Sequence, residues 1–227
     1  MAAATLAFDV GGTRVKAAVV SGDAADGLCS EPTGTSFASA LEVVGRVGDG
    51  LLASHPATRV AACVPGLVDA DGTIVALPGK LPGAEGSNLR AFLESRFGMP
   101  ASVRNDAVAF GAGEAVHGAG RGLSRVVVVT IGTGVGVTVF EGGGPMGEGV
   151  LGGGILGGQV PIAEEGGPYE DTSGRTGSIE ALCRADRVVD YMRDAGGTAT
   201  TPVEVFAALE ARDPAAIAGL ARYRLLL

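Results

Sequence analysis

Twice in this chain an apolar run of strand length breaks at a glycine turn carrying a threonine and resumes as a second apolar run. The first copy is ATLAFDV (4–10), Gly11-Gly12-Thr13 and VKAAVV (15–20); the second is RVVVVTI (125–131), Gly132-Thr133-Gly134 and VGVTVF (135–140). Runs joined in this way read as hairpins whose turns require either φ > 0 or a close approach by a ligand or another backbone. A repeated hairpin, each copy followed by its own mixed stretch, predicts a duplicated α/β unit. The boundary falls between Arg104 and Asn105, giving an N-terminal α/β domain over 1–104 and a C-terminal one over 105–227.

The stretches between the hairpins supply the other layers. Leu41, Val44 and Leu51-Leu52 recur at helical spacing, 59–64 is a strand ended by Pro65-Gly66, and 73–77 is a second short strand. Ser87 is placed to cap a helix carrying Leu89, Phe92, Leu93 and Phe97, stopped by Gly98. A strand over 102–104 leads into Asn105-Asp106 and a helix of small residues ending near His117. Residues 141–158 hold ten glycines in eighteen and read as a loop over the site, the alternative being simply a flexible turn. Ser178 opens one helix with Ile179, Leu182, Cys183 and Val189 on a single face, Thr201-Pro202-Val203-Glu204 is a capping box, and Asp213-Pro214 starts the last helix.

Composition removes several classes of function. Seventeen basic against 25 acidic residues give a net charge of −8, and no Lys/Arg run occurs, so the electrostatic footprint of a nucleic-acid partner is missing. Three widely spaced cysteines, Cys29, Cys63 and Cys183, make neither a disulfide framework nor a metal pair, which fits a reducing, cytoplasmic setting. Cys63, in an apolar strand, reads as core. No run of 18 apolar residues and no secretory leader is evident, so no membrane partner is expected. His55 and His117 read as helix-end residues.

Glycine turns let backbone N–H groups face a phosphate with no Cβ in the way. A Thr hydroxyl adds a donor, and a nearby Asp can hold Mg²⁺ through water. Asp9-Val-Gly-Gly-Thr13 has each of these parts. The second turn lacks the G-x-x-G spacing and following helix of a dinucleotide fold, and no G-x-x-x-x-G-K-[ST] loop occurs, so NAD and Walker-type readings fall away. Asn105-Asp106, at a strand-to-helix corner, supplies either a cap pair or a carboxylate able to accept a hydroxyl proton during phosphoryl transfer.

Asp9-Val-Gly-Gly-Thr13, Val64-Pro-Gly-Leu-Val-Asp69, Asn105-Asp106-Ala107, Ile131-Gly-Thr-Gly-Val-Gly136 and Ser173-Gly-Arg-Thr-Gly-Ser-Ile-Glu180 together resemble, in order, the ROK family within the actin, hexokinase and Hsp70 superfamily. The resemblance implies two ribonuclease-H-like halves around a cleft and an ATP-dependent kinase passing the γ-phosphoryl group to a hydroxyl of a sugar or cyclitol. It implies phosphate loops at Asp9, Gly11, Gly12 and Thr13 and at Gly132, Thr133, Gly134 and Gly136. Asp106 would be the general base and Asp9 the water-mediated Mg²⁺ ligand, with Gly66, Asn105, Asp106, Gln159 and Glu180 around the sugar. A homodimer is compatible with it.

Departures from the family pattern temper the substrate expectation. Gln159-Val-Pro-Ile162 stands where the family carries Glu-x-Gly-His, and Asp171-Thr-Ser-Gly-Arg-Thr-Gly-Ser178 stands where it carries Cys-x-Cys-Gly-x-x-Gly-Cys. All four zinc ligands are thus replaced together, and no zinc is expected. Lys80 and Ala84 occupy the Asn and Trp positions of the family's Asn-Leu-Pro-Gly-Trp segment. The tail after Glu180 shows two helices and no further strand with a glycine turn to seat adenosine, so the second half is expected to be incomplete. The alternatives are a non-catalytic or truncated sugar-binding regulator of the same family and an ATPase module that needs no sugar.

Overall fold

The computed structural model describes residues 4–77, 79–147, 157–164 and 167–227; half of the glycine tract over 141–158 lies outside them. Contacts divide the chain into two units, Met1–Val126 with Phe140–Gly154, and Val127–Val139 with Ile155–Leu227.

In the first unit β1 (Thr5–Val10) and β2 (Arg14–Ser21) form the expected hairpin, with Asp9 opposite Lys16 and Val10 opposite Val15. β3 (Ala24–Pro32) then pairs antiparallel with β2. Its sequence, AADGLCSEP, has no apolar alternation and gave no strand signal. It is an edge strand exposed along most of its length, ordered by backbone pairing and not by burial. Helix α1 (Phe37–Ser54) starts at a Ser36–Ser39 capping box and lies on the sheet. At Gly48 a Cβ would sit 2.4 Å from the Phe97 ring and 3.0 Å from Phe8, so glycine lets the helix close onto that stacked pair.

Next come β4 (Arg59–Val64), the small ribbon of β5 (Leu67–Val68) and β6 (Ile74–Ala76), α2 (Leu89–Phe97), β7 (Ala101–Asn105) and α3 (Asp106–Val116). The sheet order is β3-β2-β1-β4-β7, with β1, β4 and β7 parallel. Leu6, Phe8, Val10, Val44, Val60, Val64, Leu89 and Leu93 are buried in one core. One capping expectation is corrected. Asn88, not Ser87, caps α2, accepting from the Ala91 N–H at 2.8 Å while its amide donates to Asp71 O and Thr73 Oγ1. The Ser87 hydroxyl is drawn instead to Gly83 O. Gly98 ends the helix at φ 65°, as expected.

The second hairpin is β8 (Arg125–Ile131) and β9 (Val135–Glu141), extended by β10 (Gly144–Pro145) into a sheet of order β10-β9-β8. Gly142 and Gly143, at φ 62° and 88°, make the turn into β10. No further strand pairs with β8 among the described residues, and Val127, Val129 and Ile131 are exposed along it. Among the described residues the second hairpin thus lacks counterparts of β4 and β7, the parallel strands that lie to one side of β1 in the first. Behind it follow α4 (Ile179–Cys183), α5 (Arg187–Asp194), α6 (Pro202–Glu210) and α7 (Pro214–Leu226).

The single helix expected from Ser178 through Val189 is two. Arg184 takes extended ψ (155°) and ends α4. The buried Arg187 holds the break by donating to Ala181 O, Asp190 and Glu170 O, with its guanidinium over Tyr169. Five donors fixed in one plane can satisfy such a corner where apolar periodicity alone continues straight. The capping box at Thr201 is also modified: Thr201 accepts from the Glu204 N–H, but the Glu204 carboxylate reaches back to Thr200. Val188, Tyr191, Met192, Val205 and Tyr223 form the core of this helical layer.

Candidate active site

In the first unit the chemistry collects at the carboxyl ends of three adjacent parallel strands, where open α/β sheets hold ligands. Asp9 ends β1 opposite Cys63 on β4, and Val64 lies opposite Asn105 at the end of β7. Parallel register therefore brings together residues that are far apart in the chain.

The first glycine turn is closed by the Gly11 N–H donating to Arg14 O at 3.0 Å, and is tied from outside by the Thr33 hydroxyl donating to Gly11 O. Neither Gly11 nor Gly12 has positive φ; close approach accounts for glycine at 11, whereas a Cβ at 12 would make only ordinary contact. At Gly11 a Cβ would come within 2.9 Å of Arg14 O; at Gly12 it would meet the stem of Lys80 at 3.7 Å. The N–H groups of Gly12 and Thr13 bond to no other described residue, which leaves two donors for an anion. Lys80 and Lys16 bring cations, Lys16 Nζ lying 3.2 Å from Asp9 Oδ2. Sequence reading did not single out Lys16, although strand alternation opposite Asp9 carried the signal.

Asn105 and Asp106, expected as a pair, divide two duties. Asn105 is the N-cap of α3, its Oδ1 accepting from the Val108 N–H at 3.2 Å, while its Nδ2 donates to Gly66 O at 2.7 Å. Gly66 is at φ 89° with Ala76 O only 2.3 Å from where a Cβ would be, so no other residue fits. With the cap taken by its neighbour, Asp106 stands exposed in the first helical turn, and among the described residues its side chain accepts only the Ala107 N–H. A carboxylate there is favoured by the helix dipole.

Cys63 is not the core residue expected. It is only partly buried, and its thiol donates to Asp9 Oδ1 at 3.7 Å. Burial, then the charges of Asp9 and Asp106, push its pKa up to about 12. Since the thiolate is the nucleophile, Cys63 is expected to resist iodoacetamide at pH 7–8 in the native protein and to react once unfolded. Mass spectrometry of the native adducts checks this; rapid native labelling at Cys63 would contradict the placement.

The second unit holds its glycine turn differently. The Gly132 N–H donates to Gly134 O, and Gly132 O accepts from Ala185 at the break between α4 and α5. The N–H groups of Thr133 and Gly134 bond to no other described residue. Glu180 is buried. Its Oε2 accepts from the Val135 N–H at 3.1 Å, and its Oε1 accepts from the Thr172 N–H and hydroxyl at 2.8 and 2.7 Å. Gln159 is partly buried beside Gly157, and Gly158 O accepts from the Glu180 N–H at 2.7 Å. Asp171 organises the loop before α4: Oδ1 accepts from the Ser173 N–H and hydroxyl and from the Arg175 N–H, and Oδ2 accepts from Ser178, the cap of α4.

Two bound groups can be tested against these residues. Free N–H pairs at each turn fit phosphate oxygens. Among the described residues no group of three or more His, Cys, Asp and Glu could enclose a metal ion. Mg²⁺ shared with phosphates and waters needs only one or two protein carboxylates, and Asp9, 41% exposed at its side chain, meets that requirement. His55 and His117 are the C-cap residues of α1 and α3, and no described helix is long and apolar enough to cross a membrane.

The ROK family profile matches residues 5–226. A beta-glucoside kinase of Klebsiella pneumoniae is 32% identical over 136 residues, covering 59% of this chain and 45% of that protein. The chain thus spans about half the length of that curated relative. A ROK family glucokinase from Streptomyces griseus, solved with glucose and AMPPNP, superposes with a TM-score of 0.76 at 22% identity, over 97% of this chain and 75% of that one. A ROK family transcriptional regulator, a homologue of the E. coli MLC protein, superposes at 0.81 and 18% identity over 97% and 59%. At these identities the structures establish the actin-like ATPase fold, which kinases and regulators share.

Proposed function

The chain belongs to the ROK family, and from that premise we propose that it transfers the γ-phosphoryl group of ATP to a hydroxyl of a sugar or cyclitol. The supporting observation is the corner at Asn105-Asp106, where Asn105 takes the helix cap and the Gly66 carbonyl, so that Asp106 stays exposed next to the Asp9 end of the sheet. In this reading Asp106 accepts the proton of the attacking hydroxyl as the new P–O bond forms. Asn105 and Gly66 fix the backbone against which the sugar is oriented, and Gln159 adds a hydrogen bond to it. Gly12, Thr13, Thr133 and Gly134 donate to phosphate oxygens, with Gly11, Gly132 and Gly136 shaping the two turns. Mg²⁺, held on the Asp9 side through water, would neutralise charge on the phosphates. Lys16 and Lys80 add positive charge beside the first turn.

The likeness to kinases named for glucose and for beta-glucosides supports a sugar acceptor. Coupled measurement of ADP formation with Mg·ATP across a panel of sugars and cyclitols tests it. Sugar-dependent ADP release is expected. ADP formed at the same rate without any sugar would favour a sugar-independent ATPase, and none with any acceptor would favour the regulatory reading. That second reading is supported by Ile162, which offers no hydrogen bond in the sugar segment, and by the regulator that shares the fold.

A further inference from the structure

We propose that Lys80 is a catalytic residue whose ammonium contacts the γ-phosphoryl group during transfer, an inference that rests on the kinase reading. The segment after β6 runs from the acceptor corner to the first phosphate turn. At its start Ala76 O and the Leu77 side chain close on Gly66, 2.3 and 2.9 Å from where a Cβ would stand. Leu77 is buried, and its N–H donates to the Glu85 carboxylate at 2.7 Å. Leu81 is buried as well; its O accepts from the Ala84 N–H, and Pro82 O accepts from the Phe37 N–H at the start of α1. Between these anchors Lys80 is exposed, and Cβ, Cγ and Cδ of its stem lie 3.7 Å from the Cβ position of Gly12.

The backbone on either side of Lys80 is left-handed, with Gly79 at φ 72° and Leu81 at φ 45°. Glycine takes that conformation freely; a leucine is strained in it, and such strain persists where the surrounding structure over-determines it, often at ligand clamps and active sites. Burial holds Leu81 there, and the lysine stem is laid along the turn whose Gly12 and Thr13 N–H groups bond to no other described residue. The two lysines at this turn differ in charge balance. Lys16 pairs with Asp9 at 3.2 Å, whereas Lys80 forms no ion pair with any described residue. An unpaired ammonium beside free N–H donors suits an anion. During transfer the bond from the acceptor oxygen to phosphorus forms while the bond from γ-phosphorus to the β,γ-bridging oxygen breaks. The hydroxyl proton passes to Asp106, and ADP departs with the bonding electron pair. Lys80 keeps its protons throughout and offsets charge on the non-bridging oxygens of the group in flight, which Asp9 and Asp106 would otherwise repel.

The test uses the full chain and two variants: Lys80→Met keeps the stem and removes the charge, and Lys80→Arg keeps the charge. The acceptor is the sugar giving the fastest ADP release in the panel, and Mg·ATP and Mg·ADP are the binding probes. In Lys80→Met kcat should fall about 10²-fold or more, the range for one lost donor to developing charge, with the sugar KM within about threefold of wild type. Mg·ATP affinity should fall by up to about tenfold and Mg·ADP affinity by no more than about twofold, since only ATP carries the γ-phosphate. Lys80→Arg should recover at least about tenfold of the lost kcat. Because Lys80 is exposed, the urea midpoint of both variants should match wild type, which separates a lost kcat from misfolding. A kcat near wild type in Lys80→Met would overturn the proposal, as would a Lys80→Arg variant no faster than Lys80→Met. So would a loss confined to the sugar KM, the mark of a side chain that holds the acceptor, or equal, measurable losses for the two nucleotides, which would put Lys80 on the inner phosphates. If wild type releases no ADP with any sugar of the panel, the kinase reading fails and the proposal with it, an outcome distinguishable because it appears before any substitution is made.

Discussion

Asp106→Asn is expected to lower sugar-dependent turnover by roughly 10²–10⁴-fold, the usual range for a lost general base, while sugar binding is retained. The structure makes the substitution clean. The cap of α3 belongs to Asn105, and the hydrogen bond that Asp106 accepts from the Ala107 N–H, to Oδ1 at 2.8 Å, can be kept by an asparagine oxygen. What disappears is a carboxylate able to take a proton from a hydroxyl that becomes acidic only as it attacks phosphorus. The loss should therefore fall on kcat and not on sugar affinity. Steady-state kinetics with the best acceptor from the panel, together with calorimetric sugar binding, measures both. Turnover near wild type would remove Asp106 from the mechanism. Asn105→Ala is the contrasting variant: it removes the cap and the bond to Gly66 O, so stability should drop by about 1 kcal/mol or more along with turnover.

The largest effect on stability is expected at Asp171. Four hydrogen bonds from Ser173, Arg175 and Ser178 converge on its carboxylate, which is almost fully buried. Asp171→Ala strands these donors. Ser178 is buried while Ser173 and Arg175 are exposed to water, so at about 1–3 kcal/mol for a buried donor left unmet a loss of about 2 kcal/mol follows, concentrated in the 171–178 loop and the start of α4. Burial alone would raise the Asp171 pKa. The bonds from the Ser173 and Ser178 hydroxyls and from the backbone of Arg175 and Ser173 outweigh it and hold the carboxyl below its ordinary value.

The sign for pH follows from that direction. A folded pKa below the unfolded one, about 3.9 for Asp, means that the carboxylate's contribution is complete above the unfolded value and is lost as pH falls through the folded value. Wild type should therefore lose stability on acidification below about pH 4, and Asp171→Asn should lack that part of the acid limb. Urea unfolding at a series of pH values reads it directly. Equal acid limbs in the two proteins would mean that Asp171 is not ionised in this network.

Much of the fold was legible because local rules and tertiary demands agree. The two hairpins, the 59–64 strand, the Gly98 stop and the prolines at the starts of α6 and α7 each have a short-range cause. β3 was not legible because an edge strand needs pairing and not burial, so its sequence carries no alternation. The break between α4 and α5 was missed because an apolar stripe runs through it. What ends α4 is a buried arginine whose acceptors lie on three separate stretches of chain.

By itself, the sequence determined the duplicated plan, the two glycine turns, the family and the pairing of Asn105 with Asp106 at a strand-to-helix corner. These depend on residue type and spacing, which act over a few positions and are written in order along the chain. Only the tertiary structure decided what each of those residues is free to do. Parallel register set Cys63 against Asp9 and took it out of the core, and the cap at Asn105 left Asp106 exposed. The packing of α4 against the second turn brought backbone donors to both oxygens of Glu180. A carboxylate's role follows from the donors that reach it, and those donors come from elements that the chain brings together only once it has folded.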